Sequence, residues 1–350
     1  MHIASVGCAL PEHQYEQSVL IEAMCAYWSQ HHHNTDRLKQ LHGAVQVGTR
    51  NLALPLEAYP GLTFGEANDA FIKVGVEVGA KAIEEALGHA GLTAKDVDVI
   101  FTTTVTGIAT PSLDARLCNR LGFRPDIKRV PMFGLGCVAG AAGISRMNDY
   151  LAGHPEGVAV LLSVELCSLT LQRSDASIAN LIASGLFGDG AAAVVGVGAQ
   201  RQARISGPRV SATRSRFYPD TERVMGWDVT DSGMKIVLAA SVPKMVESHI
   251  QADVDGFLSD LGMSRDEVSS WVCHPGGPEV LEAMQSALDL DADALKLTWD
   301  SLNTIGNLSS SSVLFVLRDT ITTRRPAPGS TGMMLAMGPG FCAEMVGLDW

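Results

Sequence analysis

Two distant stretches of this 350-residue chain repeat one another in register. GLTAKDVDVIFTTT, from Gly91, matches GMSRDEVSSWVCHP, from Gly262, at an offset of 171 residues, and both read as a turn, a short acidic cap and an apolar strand. GLGCVAGAAGISRMNDYL, from Gly134, aligns with TIGNLSSSSVLFVLRD, from Thr304, when Gly136 is matched to Gly306, an offset of 170. A third pair, GDGAAAVVGVG from Gly188 and GPGFCAEMVGL from Gly338, sits at offset 150, so the first half carries about twenty extra residues between Cys167 and Leu186. An insertion of that kind is a place to build a substrate pocket or a subunit contact. Each half contains an apolar strand, a Gly- or Ser-rich turn opening a helix, and further Val/Ala/Gly-rich strands. The reading is a duplicated α/β unit, with halves at 1–200 and 201–350 related by pseudo-twofold symmetry.

Strands over 97–105 and 158–164 are apolar along most of their length, as strands buried between helix layers are. Helices are predicted over 69–90, 140–151 and 279–288 from apolar residues recurring at three and four. The opening MHIASVGCAL lacks a basic flank and is stopped by Pro11, so it reads as a first strand and no secretion signal. No run is credible as a membrane span. Hydrophobic residues make up 46% of the chain and charged ones only 18%, too apolar for disorder and low enough in charge to suggest surface hidden in a homo-oligomer. A formal net charge of −12 argues against a nucleic-acid partner, because phosphate contacts need many cations. Seven cysteines, none closer than 17 residues to another, show no disulfide framework and no zinc spacing; the thiols are read as reduced and the compartment as cytoplasmic.

The symmetry has a chemical consequence, since it brings corresponding loops to one centre. Cys137 and Asn307 stand next to the paired turns, and the echoing strand of the second half ends at His274. Cys137 opens a helix, whose unpaired N–H groups favour a thiolate, and a neighbouring imidazole would favour it further. An amide and an imidazole facing it can donate to a thioester carbonyl. They would form an oxyanion hole for the enolate left when a malonyl thioester loses carbon dioxide. Decarboxylation makes the carbanion, so neither a strong base nor a metal, flavin or nicotinamide is required.

FGLGCVAG, VCHPGGP, GNLSSSSVLFVL, LFGDGAAAV and GPGFCAE occur in the order found in the type III polyketide synthases, and the chain resembles that family, relatives of chalcone and stilbene synthases, from about Ala4 to Leu348. The resemblance implies a thiolase-like fold of duplicated αβαβα halves, a homodimer, and acyl-CoA and malonyl-CoA as substrates. It implies that Cys137 carries the starter and growing chain while His274 and Asn307 promote decarboxylation and condensation. Phe187 matches a gate phenylalanine between the CoA tunnel and the cavity, and Ile236 stands where plant members place a second. Thr106, Cys167, Thr170 and Ser309, with Val105, Ala109 and Thr110, fall at cavity positions. ELCSLTLQ resembles bacterial members that make alkylpyrones or alkylresorcinols, which implies a medium- or long-chain fatty acyl starter. Malonyl-CoA priming, giving a tetrahydroxynaphthalene or phloroglucinol, is the alternative, and methylmalonyl extension stays open. Arg37, Lys39 and Arg50 are candidates for a cationic patch at the CoA tunnel mouth.

Blander readings stand beside these. A lone cysteine in a Gly/Ala run is usually packing, and Asn307 could cap the helix that follows. Phe187 alone would be core. His31, His32 and His33 look metal-like, but no second ligand cluster supports them, and a solvated loop or helix end is the preferred reading. GLGCVA also fits a G-x-G-x-x-A dinucleotide turn, which makes an NAD-dependent dehydrogenase a rival. The acid expected about twenty residues on is absent, as Glu165 lies 28 beyond Cys137. A cysteine hydrolase lacks its G-x-S-x-G-like elbow. A ketoacyl-ACP synthase III would share the Cys, His and Asn, although LFGDGAAAV with GPGF favours the polyketide branch.

Overall fold

The computed structural model describes residues 1–29 and 34–350, so His31, His32 and His33 lie outside the described residues. The described strands are β1 (His2–Ala9), β2 (His13–Glu16), β3 (Thr49–Leu52), β4 (Val99–Thr104), β5 (Lys128–Phe133), β6 (Val158–Leu166), β7 (Asp189–Val197), β8 (Arg209–Phe217), β9 (Met225–Thr230), β10 (Gly233–Leu238), β11 (Val268–Cys273), β12 (Thr331–Gly338) and β13 (Cys342–Asp349). The α-helices are α1 (Gln17–Ser29), α2 (Thr35–Ala44), α3 (Phe64–Ala90), α4 (Leu113–Leu121), α5 (Ala139–Ala152), α6 (Ile178–Leu186), α7 (Val242–Asp260), α8 (Pro278–Leu288), α9 (Lys296–Ile305) and α10 (Ser312–Thr323).

Nine strands form one mixed sheet in the order β11-β12-β13-β8-β1-β7-β6-β4-β5. Outward from the β1–β8 contact, each side runs through two antiparallel pairings and then a parallel one. β8, β13, β12 and β11 are therefore the counterparts of β1, β7, β6 and β4, and the echo of 91–104 with 262–275 is the β4–β11 pair. β5 has no counterpart and forms one edge of the sheet.

Alternation along the strands explains the layering. Ala191, Ala193 and Val195 of β7 pack with α3, whereas Ala192 and Val194 pack with α5 and α10. α7 and α8 cover the other end of the sheet through Val246, Ile250, Val254 and Leu281. The layers run α–β–α–β–α, the thiolase-like arrangement expected from the sequence. Each fully buried Val or Leu contributes about 1.5–3 kcal/mol. The helix predicted at 69–90 starts earlier, at Phe64, because Thr63 and Glu66 form a capping box, and it ends where expected with Gly91 in the left-handed region. The extra residues of the first half fold as a 3-10 turn, Cys167–Thr170, followed by α6. Among the described residues no helix is long and apolar enough to cross a membrane.

Candidate active site

A cavity of about 960 Å³ opens where the two halves meet, and Cys137, His274 and Asn307 all line it. So do Thr106, Cys167, Thr170, Phe187, Ile236 and Ser309. All nine therefore border one cavity. Cys137 sits in the 3-10 turn Gly136–Val138 that leads into α5, and it is buried. Two glycines make this placement feasible. Gly136 has φ +56° and a Cβ there would meet Pro339 Cδ at 2.6 Å; a Cβ on Gly140 would meet the Ser310 carbonyl oxygen at 2.3 Å. The start of α5 is thus packed against the serine run, not held open for a pyrophosphate, which removes the dinucleotide reading of GLGCVA.

His274 follows β11 directly, its N–H bonded to the Leu335 carbonyl at 2.9 Å. The residue is 5% exposed, yet neither ring nitrogen has a hydrogen-bond partner among the described residues. Leaving buried nitrogens unpaired costs free energy, and such groups call for a functional explanation. Asn307 is fixed from three sides. Its N–H donates to the Leu186 carbonyl (2.9 Å), its carbonyl accepts from Gly188 N–H (3.0 Å), and its Oδ1 accepts from Ser309 N–H at 2.8 Å. Because the amide oxygen is occupied, Nδ2 is the end left to act as donor, held only by a long 3.4 Å contact with the Gly276 carbonyl. The same bonds tie Asn307 to Phe187 as a β-bridge. Ser309 Oγ lies 3.6 Å from Cys137 Sγ.

A thiol, an unpartnered imidazole and an oriented amide donor around one cavity are suited to acyl transfer. The protein comparisons agree in kind. The model of the N-terminal domain of chalcone and stilbene synthases matches residues 1–201, and that of their C-terminal domain matches 209–349. The chain belongs to the chalcone and stilbene synthase family. It is 53% identical over 350 residues to a 1,3,6,8-tetrahydroxynaphthalene synthase from Streptomyces peucetius subsp. caesius, covering 99% of this chain and 93% of the relative. It is 34% identical to a putative chalcone synthase from Bacillus subtilis (strain 168), covering 99% and 98%. The crystal structure of 1,3,6,8-tetrahydroxynaphthalene synthase from Streptomyces coelicolor A3(2), a bacterial type III polyketide synthase, superposes with a TM-score of 0.94 at 29% identity, covering 100% of this chain and 99% of that one. This protein is a type III polyketide synthase, an acyltransferase of the condensing class.

The electrostatics of this synthase differ from the sequence expectation. Burial pushes the Cys137 thiol up to about 12, against a lowering by the Ser309 hydroxyl, and burial holds His274 down to about 3. Desolvation is the largest influence on both groups, and it favours the neutral form of each.

Three other expectations are corrected. Arg50 is buried and donates to Gln17 Oε1, the Ser184 carbonyl and the Phe187 carbonyl. It is spent on holding the Phe187 carbonyl and its neighbours and forms no exposed cationic patch; Arg37 and Lys39 are the exposed pair, on α2. Ala109 and Thr110 do not line the cavity, whereas Val105 and Ile108 do. The loop is held at Ile108 by Asn68, which bonds both the N–H and the carbonyl of that residue.

Sequence reasoning missed the carboxyl group behind Cys137. Glu165 is fully buried in β6; it accepts from Val105 N–H (3.1 Å), Thr106 Oγ1 (3.0 Å), Thr104 Oγ1 (3.3 Å) and Ser310 Oγ. Ser163 Oγ links Ser310 and Ser311 at 2.8 and 2.7 Å, which gives the serine run its purpose. The signal was a glutamate inside the otherwise apolar VAVLLSVEL. Burial raises Glu165 to about 7 from 4.5, so the folded state holds its proton more tightly than the unfolded chain. Its contribution to stability is complete below pH 4.5 and is lost as pH rises through about 7. Glu165→Gln is expected to flatten that part of the pH dependence, worth about 3 kcal/mol, in denaturant melts. An unaltered slope between pH 4.5 and 7 would count against it.

Proposed function

We propose that this synthase primes and extends with malonyl-CoA alone and releases a tetrahydroxynaphthalene-type product. Cys137 holds the growing chain as a thioester. His274 accepts the thiol proton during loading, and His274 with the Asn307 amide donates to the thioester oxygen of malonyl-CoA as it loses carbon dioxide. The resulting enolate carbon attacks the carbonyl on Cys137, forming the new carbon–carbon bond and expelling the thiolate. The observation that carries the assignment of roles is the buried, unpartnered His274 ring lining one cavity with Cys137 and Asn307. The 53% identity to a tetrahydroxynaphthalene synthase supports the product class, since such a bicycle has oxygen at alternate carbons, as a chain of malonyl-derived units has. Nothing in this sequence of steps calls on a metal, flavin or nicotinamide.

The fatty acyl starter put first by the sequence is the second reading. It is favoured by an apolar extension of the cavity between α1, α2 and α6, walled by Leu20, Met24, Trp28, Leu41, Ala44 and Ile182. Incubation of the purified protein with radiolabelled malonyl-CoA, alone and with a series of acyl-CoA starters, separates the two. A labelled naphthol from malonyl-CoA alone is the expected result; labelled pyrones that appear only with long starters would overturn it.

A homodimer is part of the same proposal. β5 leaves an unpaired sheet edge, and Phe133 at its end is 60% exposed with Val130 and Ile108 exposed beside it. A monomeric mass by light scattering would remove the dimer.

A further inference from the structure

We propose that Arg173 binds the free carboxylate of the malonyl starter unit, at the far end of the chain carried on Cys137. This rests on the malonyl-priming reading above. An extender unit gives up its carboxyl group at His274 and Asn307, but a malonyl starter keeps its own. That charge must then be housed inside a cavity walled mainly by apolar side chains, where an unpaired carboxylate is costly.

Among the described residues, the lysines and arginines lining the cavity number two, Arg50 and Arg173. Arg50 is occupied: it is buried behind Phe187 with three hydrogen bonds and the field of Asp189. Arg173 differs in each respect. It is half-buried, and no carboxylate among the described residues lies within ion-pair distance of it. Asp175, two residues on, is taken by Lys235 at 3.4 Å and by Ser177 N–H at 2.9 Å. Two of the five guanidinium N–H groups are spent on fixing the head, through Nη1 to the Tyr59 carbonyl and Nη2 to the Leu62 carbonyl. The remainder stay available to a ligand, on a fork whose position is already set.

Position also fits. Arg173 follows the cavity-lining turn Cys167–Thr170 by three residues, at most about 11 Å of extended chain beyond Thr170. It borders both the reaction cavity and a second cavity of about 530 Å³ lined by Thr63, Asn68, Gln172, Ser174 and Ser232. The wall therefore turns from apolar to polar and cationic where the two cavities adjoin at Arg173. A chain with a thioester at one end and a carboxylate at the other matches that gradient, and a fatty acyl chain ending in methyl gains nothing from it. Arg173 would thus select the starter by charge.

The test compares wild type with Arg173→Gln and Arg173→Lys, supplying labelled malonyl-CoA alone or together with acetyl-, butyryl- or hexanoyl-CoA. The readout is the ratio of malonyl-primed to acyl-primed product. In Arg173→Gln the ratio is expected to fall by about tenfold or more, the loss of one charged hydrogen bond, with the lysine variant in between because it keeps charge without the fork. Each assay uses malonyl-CoA as extender, so damage to extension or folding lowers both products and leaves the ratio alone. A ratio equal to wild type, whether both products persist or both decline, overturns the role of Arg173. Wild-type protein that makes no malonyl-primed product refutes the priming reading itself, a separate outcome.

Discussion

Cys137→Ala is expected to abolish covalent loading, seen as loss of the acyl-enzyme mass, and to cut product formation at least about a thousandfold. No other thiol is placed to substitute. Cys167 shares the cavity, but burial pushes its thiol well above the ordinary value, and the carboxyls of Glu165 and Asp189 push it further the same way. Cys273 is fully buried at the end of β11 and does not line the cavity. Cys167→Ser is accordingly expected to load normally. Slow release of carbon dioxide from malonyl-CoA is expected to survive in Cys137→Ala, because the imidazole and amide donors remain. An acyl adduct still present in that variant would move the nucleophile elsewhere in the chain.

The place of Cys137 in the cavity was legible in the sequence because duplication is a long-range constraint written locally. Once 91–104 and 262–275 were in register, the strand ends at Thr104 and His274 and the turns at Gly136 and Gly306 had to face one another, and the sheet order repeats outward from β1 and β8 as that register requires. The insertion at 167–186 was likewise readable from the change of offset, and it supplies one wall of the cavity. What stayed hidden depends on three-dimensional convergence within a half. Glu165 gathers Thr104, Thr106 and Ser310 from three segments, and spacing alone gave no sign of it. Arg50 looked like a surface cation because a basic residue usually is one; the carbonyls of Ser184 and Phe187 and the carboxyl of Asp189, all more than a hundred residues on, help make its burial tolerable. The depth of burial around Cys137 stayed hidden for a related reason. A helix start is visible in a sequence, whereas the depth of the cavity around it is not.

Asn307→Ala is expected to leave acyl loading of Cys137 close to wild type while slowing malonyl-CoA decarboxylation about 10²–10³-fold, the usual cost of one oxyanion donor. The geometry makes the separation clean. The backbone bonds of Asn307 to Leu186 and Gly188 do not involve the side chain, so the loop and the Phe187 bridge should persist. What disappears is the Nδ2 donor, along with the Oδ1 acceptor that holds Ser309 N–H. Since Ser309 has φ +48°, a left-handed conformation unfavourable for serine, some local relaxation is expected, and Ser309 Oγ is the group beside Cys137 Sγ. Asn307→Asp separates these effects. It keeps an acceptor for Ser309 N–H but offers no N–H and places a negative charge where the enolate develops. It should therefore decarboxylate at least as poorly as the alanine variant while loading as well or better. If both variants release carbon dioxide at the wild-type rate, the developing charge is stabilised by His274 alone and Asn307 serves only to shape the loop.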